Sequence, residues 1–239
     1  MQNAKSMLHK VGLYLVFVLA GFASIANAEQ AKAFVYTELQ ISTPFSKVPW
    51  QDINRKIKTQ QGFQSKTWLS GAGNQSAGGF YAFATVEDAQ RFVTDYFPTE
   101  ARAFGVAQTT RVFDALAAEK ASDEMNSPYF GGNLKQKPKA YVYTEVQLHV
   151  KPFVEGPWKA INESLQQQPG ILSKTWLSGL HTGTPGGFYA FDTLENAQNF
   201  ALNYFPKEAK SLNAAFYTRV FDATETEQAS LDMNSPFYP

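Results

Sequence analysis

Residues 62–83 read GFQSKTWLSGAGNQSAGGFYAF, and residues 170–191 read GILSKTWLSGLHTGTPGGFYAF. Nothing else in the chain constrains its folding as strongly as this recurrence. Each copy is two strand-like runs around a Gly-rich connection that differs between the copies, which predicts a hairpin with fixed walls and a free tip. Extended both ways, residues 34–129 pair with 141–237 at an offset of 107, and of 108 after a one-residue insertion near Lys151; about half of the paired positions are identical. A period of that length is a whole domain, not a solenoid unit. The sequence therefore reads as a tandem duplication, with domains at 29–130 and 140–239 and a polar, Gly/Pro-punctuated linker at 131–139.

Each half opens with an alternating run, AFVYTELQI at 33–41 and AYVYTEVQL at 140–148. The period of two puts Val35, Thr37, Leu39 and Ile41 on one face and Phe34, Tyr36, Glu38 and Gln40 on the other. Pro49-Trp50 and Pro157-Trp158 then open a helix striped by Ile53 and Ile57, or Ile161 and Leu165, which Gly62 or Gly170 ends. After the hairpin, Thr85 with Asp88 and Thr193 with Asn196 cap a second helix, which Pro98 and Pro206 are expected to interrupt. A last strand ends in Val-Phe-Asp, and an acidic helical segment leads to Met-Asn-Ser-Pro at 125–128 and 233–236.

The order strand, helix, strand, strand, helix, strand is the ferredoxin-like α+β arrangement, a four-stranded sheet with helices on one face. A solvated second face has no use for Phe34 and Tyr36. The two sheets are thus expected to pack face to face as an intramolecular pseudo-dimer, burying Phe34, Tyr36, Trp68 and Tyr81 or their neighbours between them; further oligomerisation is left open.

The first 28 residues read as a separate object. Lys5, His9 and Lys10 precede an apolar run at 11–23, short for a bilayer span, and Ala26-Asn27-Ala28 forms a small-x-small cleavage site. A secretory signal peptide cut before Glu29 is expected, and with it export to a bacterial periplasm or beyond. Losing Lys5 and Lys10 leaves 19 basic against 21 acidic residues, so no basic footprint for nucleic acid or for a membrane surface is evident. With no cysteine, disulfides, thiolate catalysis and cysteine-bound metals are excluded. Past the leader only His149 and His181 remain, neither repeated in the other half, and neither a phosphate-binding loop nor a dinucleotide fingerprint is present. No metal and no cofactor are expected.

Gly62, Phe63, Lys66, Trp68, Gly78, Gly79, Tyr81, Phe83, Val112, Phe113 and Asp114 together form a spaced pattern, repeated in the second half with Ile171 for Phe63. That pattern resembles the YdhR-like monooxygenase family of the dimeric α/β-barrel superfamily, and it covers essentially each repeat. The resemblance implies two ferredoxin-like domains paired sheet to sheet into a barrel, here fused in one chain. It also implies a small aromatic or hydrophobic ligand in a pocket between sheet and helices, oxidised by O2 without a cofactor under the direction of Trp, Asn and Tyr side chains. On that basis Trp68, Trp176, Tyr81 and Tyr189 are the candidate catalytic residues. A non-catalytic ligand-binding or interaction module on the same barrel is the alternative.

Tyr36 and Tyr143 are further candidates to line a ligand site. Glu38 and Glu145 lie mid-strand on a face expected to be covered, where a carboxylate must be paired or protonated; Lys66, Arg111, Lys174 and Arg219 are the cations within reach on neighbouring strands. These six are candidate substrate-binding residues, with the carboxylates as general bases of raised pKa; the alternative is a structural salt-bridge network inside the barrel.

Overall fold

The computed structural model describes residues 30–150 and 157–238. The expected leader and the insertion near Lys151 lie outside them. In the first half, β1 (Ala33–Leu39), β2 (Phe63–Ser70), β3 (Ala77–Phe83) and β4 (Gln108–Asp114) form an antiparallel sheet in the order β2-β3-β1-β4. In the second, β5 (Ala140–Val146), β6 (Ile171–Ser178), β7 (Pro185–Phe191) and β8 (Phe216–Asp222) repeat it as β6-β7-β5-β8. Helix α1 (Trp50–Ile57) and a longer helix from Val86 cover one face of the first sheet; α5 (Trp158–Gln166) and a helix from Leu194 cover the equivalent face of the second.

Local chemistry explains the helix ends. The Thr85 hydroxyl accepts from the Asp88 N–H at 3.0 Å and Thr193 from the Asn196 N–H at 3.1 Å, giving each second helix its expected cap. Gly62 has a φ of +70°, and a Cβ there would come within 2.1 Å of the Asp88 carboxylate, so both backbone and neighbour demand glycine. The prolines do not interrupt the second helix as the sequence suggested. Its first segment (α2, Val86–Arg91) runs through a π-helical turn (Phe92–Tyr96) straight into α3 (Phe97–Phe104), and α6 (Leu194–Asn199) through Phe200–Tyr204 into α7 (Phe205–Ser211). The wider turn lets the Phe97 N–H reach the Phe92 carbonyl, and Pro98, lacking an N–H, falls at the start of a new segment where none is needed.

The sheets pack face to face. Tyr36 stacks on Tyr143 with ring centroids 4.0 Å apart, and Phe80 on Phe188 at 4.4 Å, inside a core shared with Phe34, Phe113, Tyr141 and Phe221. Bridges between Gly71 and Phe221 and between Phe113 and Gly179, with the Ala72 N–H on the Val220 carbonyl and the Leu180 N–H on the Val112 carbonyl, join β2 to β8 and β6 to β4. Each sheet edge thus ends on the other sheet, closing an eight-stranded barrel. Trp68 and Tyr81, expected between the sheets, stand instead on the helix side. Trp68 pairs with Gly79 and Gly79 with Thr37, so Trp68 shares the Thr37 face and not that of Tyr36.

The two halves exchange their C-terminal arms. Helix α4 (Glu119–Asp123) packs on β6 and α5 of the second half, and α8 (Glu227–Leu231) packs on β2 and α1 of the first. Ser122 Oγ accepts from the Trp176 N–H and Ser230 Oγ from the Trp68 N–H, each at 2.9 Å; the Met125 and Met233 carbonyls accept from the Lys174 and Lys66 N–H at 3.0 Å. The end of the first domain and the linker are tied down as well, with half-buried Tyr129 and Phe130 of the former and Leu134 of the latter against the inter-sheet core. A lone first half lacks both the sheet that covers Tyr36 and the arm that covers β2. Residues 29–130 produced alone are expected to dimerise or aggregate; a soluble, folded monomer by sedimentation would contradict the architecture.

Candidate functional site

The twelve residues singled out from the sequence fall into two groups on opposite faces of the sheets. Tyr36, Glu38, Arg111, Tyr143, Glu145 and Arg219 come together between the sheets. Lys66, Trp68, Tyr81 and their counterparts Lys174, Trp176 and Tyr189 come together under the helices.

In the inter-sheet group the ion pairs cross between halves. Arg219 Nε donates to Glu38 Oε2 at 3.1 Å and Arg111 Nε to Glu145 Oε2 at 3.1 Å, while the Tyr36 and Tyr143 hydroxyls donate to the same two oxygens at 2.8 Å. Tyr217 adds a third donor to Glu38 at 3.1 Å, where the first half has Thr109. The lysines take no part, because they point to the other face. Burial, reinforced by the adjacent carboxylates, pushes the Tyr36 and Tyr143 hydroxyls well above the ordinary phenol range, so both remain hydrogen-bond donors. This cluster fills the space between the sheets and pins their register.

The helix-side group is built identically twice. Each indole N–H donates to an asparagine on the first helix of its half, Trp68 to Asn54 and Trp176 to Asn162, at 2.8 Å. The same asparagines donate to the Ala229 and Ala121 carbonyls of the exchanged arms, at 3.2 and 3.0 Å. Lys66 Nζ lies 2.9 Å from the centre of the Trp68 ring, and Lys174 Nζ 2.9 Å from that of Trp176. The paired glycines in each hairpin make this possible: a Cβ on Gly187 would come within 2.8 Å of the Lys174 Cε and 2.6 Å of the Tyr189 ring. Lys66 and Lys174 are 1% and 2% exposed. Burial drives both ammonium groups well below the usual lysine range, against a weaker upward pull from Glu100 and Glu208, and the aromatic faces recover part of the cost of the charge.

That depression has a consequence for stability. Between the depressed folded pKa and the unfolded value of about 10.4, the unfolded chain binds protons that the folded chain does not, so stability rises with pH. Each lysine contributes up to about 1.4 kcal/mol per pH unit inside that window, and nothing once pH passes the unfolded value. Urea midpoints are expected to increase as pH is raised toward the unfolded lysine value, and the increase is expected to vanish in the Lys66→Met, Lys174→Met double variant. An unchanged slope in that variant would show that the lysines are protonated in the folded state.

The halves differ in the space beside the tryptophan. In the second half a cavity of about 160 Å³ is walled by Trp158, Ile161, Leu165, Phe205 and Ala209, with Val146 and Leu148 from the sheet side and Lys174, Trp176 and Tyr189 at its floor. Glu208 and Tyr204 face it across the π turn, and it reaches the surface beside Leu212, which is 48% exposed. In the first half the equivalent space holds about 20 Å³. Phe45 stands edge-on to Trp68 at 5.4 Å, Val48 lies alongside, and Phe104 replaces Leu212. The counterpart of Phe45 is Phe153, outside the described residues.

Glu208, Tyr204 and the apolar wall were not singled out from the sequence. The signal was present: Tyr-Phe-Pro-x-Glu occurs at 96–100 and 204–208, and in the second half Tyr204 and Glu208 border the same cavity as Lys174. Among the described residues, no group of three or more His, Asp and Glu could hold a metal ion, and no helix is long and apolar enough to cross a membrane.

The architecture is that of an α+β barrel made of two ferredoxin-like domains. Residues 36–125 match the family described as "Putative mono-oxygenase ydhR". A solved structure described as an anthrone oxidase-like protein superposes with a TM-score of 0.55 at 16% identity, over 82% of this chain and 92% of its own; the likeness at that identity is one of fold. A "putative monooxygenase" from Lactobacillus acidophilus (10% identity, 80% and 93% covered, TM-score 0.46) and a monooxygenase-like protein from Listeria innocua (11%, 81% and 96%, 0.42) are more distant. A search of curated proteins found no match.

Proposed function

We propose that the second half binds a small, single-ring aromatic compound over Trp176 and oxidises it with O2, and that the protein does this after export. The carrying observation is the apolar cavity of about 160 Å³ with one buried amine at its floor. An apolar cavity near 150 Å³ is known to accept benzene, so the volume suits one ring rather than the three of an anthrone. Burial holds the Lys174 ammonium well below the usual lysine range, which makes its amine available as a base. It takes the proton of a phenol or hydroquinone, and the resulting ammonium stays beside the phenolate in a medium of low dielectric. A ring carbon of the phenolate then bonds to one atom of O2, the O–O bond breaks, and the hydrogen of that carbon leaves with the phenolic proton and the second oxygen as water, so that O2 is the oxidant and a quinone the product.

One observation favours the non-catalytic alternative. The Trp–Asn pair is the same in the first half, where the cavity is nearly filled, and both indole N–H groups are already bonded to asparagine. The pair therefore has an architectural role whether or not chemistry occurs. Tryptophan fluorescence titrated with phenols and hydroquinones, with dissolved O2 followed in parallel, separates the two. Saturable quenching that is lost in Trp176→Phe but kept in Trp68→Phe, with O2 uptake, is the expected result; quenching without uptake leaves a binding module, and absence of quenching removes the site.

A further inference from the structure

We infer that Lys174 is also a nucleophile, and that the cavity above it captures single-ring aromatic aldehydes and ketones as an imine. The inference rests on the ligand-pocket reading of the second half and extends it from held phenols to covalently bound carbonyl compounds.

Four features of the geometry converge. The Lys174 stem is threaded over Gly187, and its nitrogen sits 2.9 Å above the Trp176 ring at the floor of an apolar cavity, so the amine is aimed into the cavity and fixed there. The cavity has room for one ring beside that nitrogen, whereas the identically placed Lys66 faces about 20 Å³. Burial favours the uncharged amine, which is how a lysine in an apolar pocket becomes a nucleophile. Finally, Glu208, Tyr189 and Tyr204 border the same space and supply groups that can carry protons.

The step is redox-neutral. The lone pair of the Lys174 nitrogen adds to the carbonyl carbon, and the carbonyl π pair moves to oxygen, which takes up a proton. The nitrogen then loses its proton, the hydroxyl leaves as water with a proton delivered from the cavity wall, and the C=N bond forms. An apolar cavity assists by leaving little water to reverse the addition.

The test is reductive trapping of the full chain with benzaldehyde and cyanoborohydride at about pH 7, followed by peptide mapping. Lys47 and Lys210, both exposed, serve as comparison sites, since a lysine in water is almost wholly protonated at that pH. Lys174 is expected to acquire a benzyl group at least ~10-fold faster than either, Lys66 to stay unmodified, and prior saturation with phenol to slow the labelling. Lys174→Met is expected to lose the fast phase; the wild-type map stands by itself if that variant folds poorly. Labelling of Lys174 no faster than that of Lys47, or equal labelling of Lys66, would overturn the inference. If phenol quenches fluorescence while Lys174 stays untrapped, the imine falls and the pocket stands; if neither occurs, both fall.

Discussion

Cutting the chain after Asp222 is expected to unfold both halves, although all eight strands remain. The segment removed carries α8, which covers β2 and α1 of the first half, and Phe237, which plugs the inter-sheet core against Tyr129, Tyr141 and Phe188 at ring distances of 5.8, 5.1 and 5.7 Å. Met233 and Phe237 are both fully buried. Deleting a buried methionine costs ~2–5 kcal/mol and a buried phenylalanine ~3–5, against a total stability of ~5–15 kcal/mol for a typical native protein. The single variant Phe237→Ala gives the sharper reading. It is expected to lower stability by ~3–5 kcal/mol in a urea titration with unchanged m-value, since one cooperative unit contains both sheets. A loss under ~1 kcal/mol, or two separate transitions, would mean that the arms are ornaments on independent domains.

The second large effect is expected from Ala209→Phe. Ala209 is fully buried and lines the second-half cavity. A phenyl group placed there occupies a space sized for one ring, so affinity for a single-ring phenol is expected to fall at least ~100-fold, equivalent to about 2.8 kcal/mol. Stability is not expected to fall in parallel, because filling an apolar void restores contacts that the void lacks. Measured side by side, affinity and melting temperature distinguish occupation of the site from damage to the fold: a variant that binds as well as the wild type would place the ligand elsewhere.

Particular residues show how far the sequence could be read. The alternation in β1 gave the correct faces for Phe34 and Tyr36 because every second residue there is large and apolar or clearly polar. Trp68 and Tyr81 were put on the wrong face because parity in β2 and β3 is obscured by Gly78 and Gly79, which carry no side chain to mark a face. Only the register, Trp68 opposite Gly79 opposite Thr37, resolves it. Arm exchange was illegible for a different reason. Both halves end in Met-Asn-Ser-Pro, so packing of an arm on its own half and on the other predict the same sequence. The ion pairs shared that ambiguity, as Glu38 and Glu145 have equivalent arginines in either half.

The candidate site was half legible. Its aromatic and basic members stand in a repeated motif, and the repetition itself suggested two equal sites. The smaller first-half space is bordered by Phe104 where the second half has Leu212, and Phe45 packs beside it against Trp68; a motif records neither.

Calorimetric titration of the full chain with a single-ring phenol tests most directly the claim that duplication has left one working pocket. One site per chain is the predicted stoichiometry, with binding abolished by Ala209→Phe. Two equivalent sites per chain, or one site indifferent to that substitution, would contradict it.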